Sequence, residues 1–273
     1  MPIHATLKPP LNIALIGFGA IGAELYRELG KWPARVQVQG ALVTGRRPEA
    51  TASGLSQWVN ISELLDSAPD IVVECAGHAA LDAYGEQVLR AGHDLLLVSA
   101  GALADAALQE RLIRAASEGG SQMLLASGAV GGIDMLGAAR LAGLSRVHYR
   151  SRKPPSAWRG TAAADCLDLE AMGPSPKVFF SGTGRMAALA YPQNANAAAT
   201  VCLAGLGLDD TQVELIADPG VRGPVHEIEA EGAAGRFSMR FEGQAAAANP
   251  KTSVATAFSL ARVLLNRRTA MVV

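Results

Sequence analysis

Over the first half of the chain, short apolar runs alternate with longer amphipathic stretches. Leu11–Ile16, Val36–Val43, Asp70–Glu74, Asp94–Val98 and Gln122–Ala126 are five to eight residues long and mostly apolar. Runs of that length, apolar on both faces, predict strands of a buried parallel sheet. Between them, helical spacing covers Ala20–Leu29, Leu81–Arg90 and Asp105–Glu118. Ser62 is placed to cap a short helix over Glu63–Ser67. Strand and helix in alternation predict an α/β layer structure with helices on both faces of the sheet.

The rhythm changes after about Gly132. Val147–Arg152, Val178–Ser181, Gln212–Ala217, Val225–Glu231 and Arg236–Glu242 follow with little helix between them. They predict an antiparallel or mixed sheet in a smaller α+β domain. Lys251–Arg267 is amphipathic, and Asn249-Pro250 ahead of it reads as a helix start. The expected division is residues 1–134 for the first domain, with 245–273 packing back on it, and 135–244 for the second.

The first strand runs into Gly17-x-Gly19-x-x-Gly22 and then into a helical pattern. Gly17 permits a tight turn, Gly19 lets the backbone approach a pyrophosphate, and Gly22 lets the helix pack on the sheet. The phosphates then meet free N–H groups at a helix N-terminus. The first domain is therefore read as a Rossmann-type dinucleotide-binding domain, with Gly17, Gly19, Ala20, Ile21 and Gly22 as its loop contacts. Such domains often carry an acid after the second strand that holds the ribose hydroxyls. Here the sequence is Thr44-Gly45-Arg46-Arg47. Thr44 can bond a ribose, and Arg46 and Arg47 can either meet a 2′-phosphate or remain solvated. NADP is therefore expected beside NAD. Small residues after later strands, Cys75-Ala76-Gly77-His78, Ser99-Ala100-Gly101 and Ser127-Gly128-Ala129, leave room for the nicotinamide ribose. His78 falls where the cofactor is expected.

Composition narrows the partners. The formal net charge is −1 with no long charged block, which argues against nucleic acid. Cys75, Cys166 and Cys202 are far apart and form no CxxC, so neither a disulfide framework nor a metal site is expected. Met1–Pro10 has no apolar core of a signal peptide and reads as a disordered extension. No uncharged run reaches membrane-spanning length. The expectation is a cytoplasmic protein with no membrane partner.

The second half holds three groups of candidate residues. Asn194 and Asn196 open an Ala-rich helix, where one can cap it and the other can orient an amide. His226 starts a strand after a Pro/Gly-rich loop and suits proton exchange near neutral pH. Lys251, Thr252 and Ser253 at a helix start can hold a carboxylate, and Arg152 and Lys153 offer a second cationic point.

Together Cys75-Ala-Gly-His78, Ser127-Gly-Ala129-x-Gly-Gly-Ile-Asp134, Arg152-Lys-Pro154, Tyr191-Pro-x-Asn-Ala-Asn196, Ala217-Asp-Pro219, Val225-His226 and Ala248-Asn-Pro-Lys-Thr-Ser253 resemble the L-aspartate dehydrogenases, from Leu11 to about Asn266. The resemblance implies that His226 is catalytic, that Ala129 and Asn196 contact the cofactor, and that the second domain makes homodimer contacts. It also implies oxidation of L-aspartate with NAD or NADP to iminosuccinate. The imine then yields oxaloacetate and ammonia or feeds pyridine nucleotide biosynthesis. In that scheme a neutral His226 takes the α-ammonium proton, so oxidation is expected to quicken from about pH 6 to pH 9. Two other readings stand beside it: reduction of another small imine or oxo acid, and a non-catalytic dinucleotide sensor.

Overall fold

The computed structural model describes residues 9–45, 51, 54–192, 194–246 and 249–272; for 245, 246 and 249–252 it describes the backbone alone. The expected N-terminal extension therefore lies mostly outside the described residues. Two compact units divide the chain. The first holds the described residues up to Ser99, then Ala107–Ala126, and the chain from Ala257 onward. The second holds Ala100–Ala106 and Ser127–Thr256. The breaks thus fall earlier than 134/135 and later than 244/245. Residues 245–253 belong to the second unit because β12 (Ala245–Ala246) and β13 (Asn249–Ser253) form their own antiparallel pair. Val254 N–H also bonds the Gln244 carbonyl.

The first unit is built on a six-stranded sheet of β1 (Leu11–Ile16), β2 (Val36–Leu42), β3 (Ser56–Trp58), β4 (Ile71–Glu74), β5 (Asp94–Leu97) and β6 (Met123–Leu125). All neighbours are parallel, in the order β3-β2-β1-β4-β5-β6. The helices are α1 (Ala20–Leu29), α2 (Ile61–Asp66), α3 (His78–Arg90) and α4 (Ala106–Gly119). α2 starts ahead of Ser62, which sits inside its first turn, while Glu63 accepts the Val59 N–H at 3.1 Å. The core joins Ile13, Leu15, Leu25, Val73 and Leu96 to Leu260, Ala261 and Leu264 of the final helix.

The second unit contains α5 (Ile133–Ala142), β7 (Leu144–Lys153), α6 (Ala163–Cys166), β8 (Lys177–Thr183), α7 (Gly184–Ala190), α8 (Asn196–Ala204), β9 (Gln212–Ala217), β10 (Val225–Gly232) and β11 (Gly235–Glu242). Its five-stranded sheet has the order β11-β10-β7-β9-β8 and is mixed: β7 and β9 run parallel, the other pairs antiparallel. Side chains alternate between the two faces of a strand. On β7, Val147, Tyr149, Ser151 and Lys153 are buried, whereas His148, Arg150 and Arg152 are half-buried. His226, Ile228 and Ala230 on β10 share the buried face, opposite Ser151, Tyr149 and Val147.

The final helix, α9, spans Ala255–Asn266. It does not begin at Lys251 as the amphipathic pattern suggested, because Asn249–Ser253 is extended and paired. Among the described residues no helix is long and apolar enough to cross a membrane.

Candidate active site

In the first unit the strand order reverses direction between β1 and β4, and open α/β sheets bind ligands in the crevice beyond the carboxyl ends of such strands. The glycines that follow β1 divide by what constrains them. Gly17 has φ +93°, and a Cβ on it would stand 2.7 Å from the Ala76 Cβ. A Cβ on Gly22 would stand 2.7 Å from the Gly17 carbonyl oxygen and 3.1 Å from Cys75 Sγ. A Cβ on Gly19, by contrast, would meet nothing within 4 Å. The fold itself therefore requires Gly17 and Gly22, while Gly19 leaves its side open to something from outside. Behind Gly19, α1 begins with no side-chain cap. Its first-turn N–H groups lack intrahelical partners by helix geometry. This cradle fits a pyrophosphate.

The neighbouring loops are fixed by a residue the sequence pattern did not single out. Glu74, fully buried at the end of β4, accepts the backbone N–H groups of Ala76 and Gly77 at 2.8 and 2.7 Å. It also accepts the Ser99 N–H and Oγ–H, both at 3.1 Å. One carboxylate thus ties the loop after β4 to the loop after β5. The available signal was an acid closing an otherwise apolar strand. His78 is the first residue of α3 and half-buried. Thr44 is exposed just past β2; at the start of α1, Ala20 is exposed and Ile21 half-buried. Arg46 and Arg47 lie outside the described residues.

In the second unit, His226 is 3% exposed. Its Nδ1 lies 2.6 Å from the Tyr149 hydroxyl, while its Nε2 is buried without a hydrogen-bond partner. Burial, and then the Lys153 ammonium, push the imidazole down to about 3. His226 is therefore neutral throughout the range from pH 6 to pH 9. With the imidazole held that low, a rise in rate from pH 6 to pH 9 would have to come from another group.

Lys153 ends β7 and is buried; its Nζ donates to Asn194 Oδ1 at 2.7 Å and lies 5.0 Å from the centre of the Trp158 ring. That bond fixes the Asn194 amide and leaves its Nδ2 buried without a partner. Neither asparagine caps α8: Ala195 is the N-cap residue, and Asn196 Oδ1 accepts the Gly101 N–H at 3.0 Å. Ala129 is half-buried in the turn after β6.

Two expected substrate contacts fall elsewhere. Arg152 projects from the face of β7 opposite His226 and Lys153, and is engaged by Glu227 at 2.9 Å and Asp218 at 3.6 Å. Adjacent strand residues cannot share a face, so only Lys153 of that pair is on the His226 side. Ser253 accepts the Ala255 N–H at 3.3 Å and so serves as a helix cap. The side chains of Lys251 and Thr252 lie outside the described residues, and their backbone is strand rather than helix start.

Comparison with known proteins gives these features a family. The family model described as "Aspartate dehydrogenase, C-terminal" matches residues 134–267, and "Homoserine dehydrogenase, NAD binding domain" matches residues 17–126. An L-aspartate dehydrogenase of Ruegeria pomeroyi is 47% identical, over 96% of this chain and 94% of its own. One of Pseudomonas aeruginosa is 45% identical, over 94% and 97%. The chain belongs to the aspartate dehydrogenase family. Its fold is also that of a solved aspartate dehydrogenase of Thermotoga maritima, with a TM-score of 0.75 at 24% identity over 96% of this chain and 99% of that one. The first unit accordingly binds a nicotinamide dinucleotide.

The glycines give a test that separates fold from ligand. Gly22→Ala is expected to cost about 1–3 kcal/mol of stability through overpacking. Gly19→Ala should melt close to the parent yet bind NADH at least about tenfold more weakly, a loss near 1.4 kcal/mol. Thermal melts with NADH fluorescence titrations read both, and full NADH affinity in Gly19→Ala would contradict the assignment.

Proposed function

We propose that this chain oxidises L-aspartate with a nicotinamide dinucleotide, and that His226 is the base. The observation that carries this reading is a buried imidazole whose Nε2 has no hydrogen-bond partner, on the same face of the second sheet as the buried Lys153. Names borne by relatives at 45% and 47% identity support the substrate.

The α-ammonium group of aspartate must lose a proton before hydride can leave Cα, because the nitrogen lone pair drives the C–H cleavage. Nε2 of His226 receives that proton. When bound in the first unit, the nicotinamide supplies the hydride acceptor, and the protein supplies position and field. Lys153 Nζ and the fixed Asn194 Nδ2 are the proposed holders of a substrate carboxylate: a cation and a donor that both gain from an anion. Ala129 and Asn196 are proposed cofactor contacts, a role that rests on the family resemblance. The product imine hydrolyses to oxaloacetate and ammonia; a link to pyridine nucleotide biosynthesis rests on the resemblance alone. Three free thiols suit a reducing compartment, which supports a cytoplasmic setting. A non-catalytic sensor would need the glycine loop but not the Lys153, Asn194 and His226 group.

Acceptance of NADP beside NAD is proposed from the absence of an acid at Thr44–Arg47. A homodimer is proposed through the polar face of the second sheet. There Arg150 pairs with Glu214 and Glu229, Arg152 with Glu227, and Arg240 with Glu227 and Glu242. A face carrying both signs in alternation can match a second copy of itself about a two-fold axis.

Each part of this reading has an expected outcome. His226→Ala should lower kcat by about 10²–10⁴-fold while NADH binding persists. In the parent enzyme, kcat/KM should show no inflection near pH 6.5 that His226→Gln removes; such an inflection would contradict a neutral buried base. Arg46→Ala with Arg47→Ala should weaken NADP binding selectively, and unchanged NADP binding would remove that role. Sedimentation should find a dimer that Arg150→Glu dissociates, whereas a monomeric parent at micromolar concentration would dismiss the interface.

A further inference from the structure

We propose that Trp158 is a positioning residue for Lys153: the face of its indole holds the buried ammonium in place without neutralising it, so that the charge stays ready for a substrate carboxylate. This rests on the reading of Lys153 as a holder of that carboxylate and specifies how the charge is kept.

The placement begins where β7 ends. Lys153 is the last residue of β7, and the chain turns at once through Pro154 and a single 3₁₀ turn, Pro155–Trp158. The Ala157 N–H bonds the Pro154 carbonyl at 2.9 Å, which closes the turn. The turn brings the indole back to the strand end it has just left, with Lys153 Nζ over the ring at 5.0 Å from its centre. That separation is in range for cation–π attraction, which is strongest for tryptophan among the aromatic side chains. The indole is fully buried, and its Nε1–H donates to the Ile216 carbonyl of β9 at 3.1 Å. That bond uses the edge of the ring and leaves its face to the lysine.

A chain of aromatic contacts braces the ring. Phe179 meets Trp158 edge-on with centroids 4.8 Å apart, and Phe179 and Phe180 both meet Tyr191 at 5.5 Å. Neighbouring residues of a regular strand point to opposite faces. Two consecutive phenylalanines reach one tyrosine here because β8 shifts register against β9 between Val178 and Phe180, and such a bulge re-aims a side chain. The Tyr191 carbonyl in turn accepts the Asn194 N–H at 2.9 Å. One aromatic cluster thus sets both Lys153 and Asn194, whose Oδ1 accepts from Nζ at 2.7 Å.

The use of an aromatic face has an electrostatic reason. Burial disfavours the charged form of a lysine. A carboxylate beside Nζ would offset that cost but would also occupy the charge, as Glu227 and Asp218 do for Arg152 on the opposite face of β7. The indole face attracts the ammonium through its quadrupole, with no net charge of its own. The Asn194 amide is neutral too, and takes one of the three ammonium hydrogens. Neither neighbour is an anion that an incoming carboxylate must displace. The same carboxylate would give Asn194 Nδ2, buried without a hydrogen-bond partner, something to donate to.

The test varies the charge on the ring face at nearly constant shape. At position 158 alone, the full chain receives progressively fluorinated tryptophans, which withdraw electron density from the face and keep the Nε1–H. KM for aspartate should climb with each step of fluorination, to about 5- to 30-fold at the highest, while kcat and the Kd for NADH change less than about twofold. A KM that stays flat across the series overturns the proposal even if Trp158→Leu raises it, because packing alone would then account for the residue. Lys153→Met should raise KM for aspartate by about tenfold or more and abolish the dependence on fluorine. A dependence that persists without Lys153 also overturns the proposal. Parental KM in Lys153→Met would instead remove Lys153 as the carboxylate holder, so the two failures are distinguishable.

Discussion

The 2.6 Å contact between the Tyr149 hydroxyl and Nδ1 of His226 is the constraint on which the proposed chemistry of the second unit depends, because it leaves Nε2 as the imidazole nitrogen without a hydrogen-bond partner. A histidine in water titrates near pH 6.5 and rotates freely. This one is enclosed, held on one side and pushed far below that value by burial and by a buried cation. Enclosure has a thermodynamic consequence with a definite sign. The folded-state pKa lies below the unfolded value, so the imidazole's contribution is fully present above about pH 6.5. It is lost as the pH falls toward the folded value, because only the unfolded chain then takes up the proton.

The rest of the architecture can be understood as support for such held groups. In the second unit, period-two alternation sorts β7 into a buried face with Tyr149, Ser151 and Lys153, and a polar face with His148, Arg150 and Arg152. A shift of one residue would exchange these faces completely. In the first unit, Glu74 plays the corresponding part for the backbone, fixing two loops through four hydrogen bonds. The glycine turn beside them leaves no room at Gly17 and Gly22, and open space at Gly19. Both units therefore set a buried polar anchor beside an exposed or unpartnered group.

What the sequence revealed follows from how local each signal is. β1 and α1 were legible to the residue, because an apolar run, a glycine turn and a helical repeat are all short-range patterns. The tight turn at Gly17 could be read the same way, as its φ of +93° shows. His226 could be picked out by type and by family resemblance, but Tyr149 could not, since it lies 77 residues away and only the β7–β10 register brings the two together. Arg152 and Lys153 look equivalent as neighbouring cations; strand alternation places them on opposite faces. The segment from Asn249 reads as a helix start, yet pairing with Ala245–Ala246 keeps it extended and delays α9 to Ala255. Glu74 was hidden because a buried acid within an apolar strand shows its purpose only when its four donors are in place.

The most direct test of the account is an NMR pH titration of the His226 ring in the intact protein. Its ring shifts are expected to stay those of a neutral imidazole from pH 9 down to pH 5. A titration centred near pH 6.5 would show an ordinary, solvated histidine and contradict the buried base on which the mechanism depends.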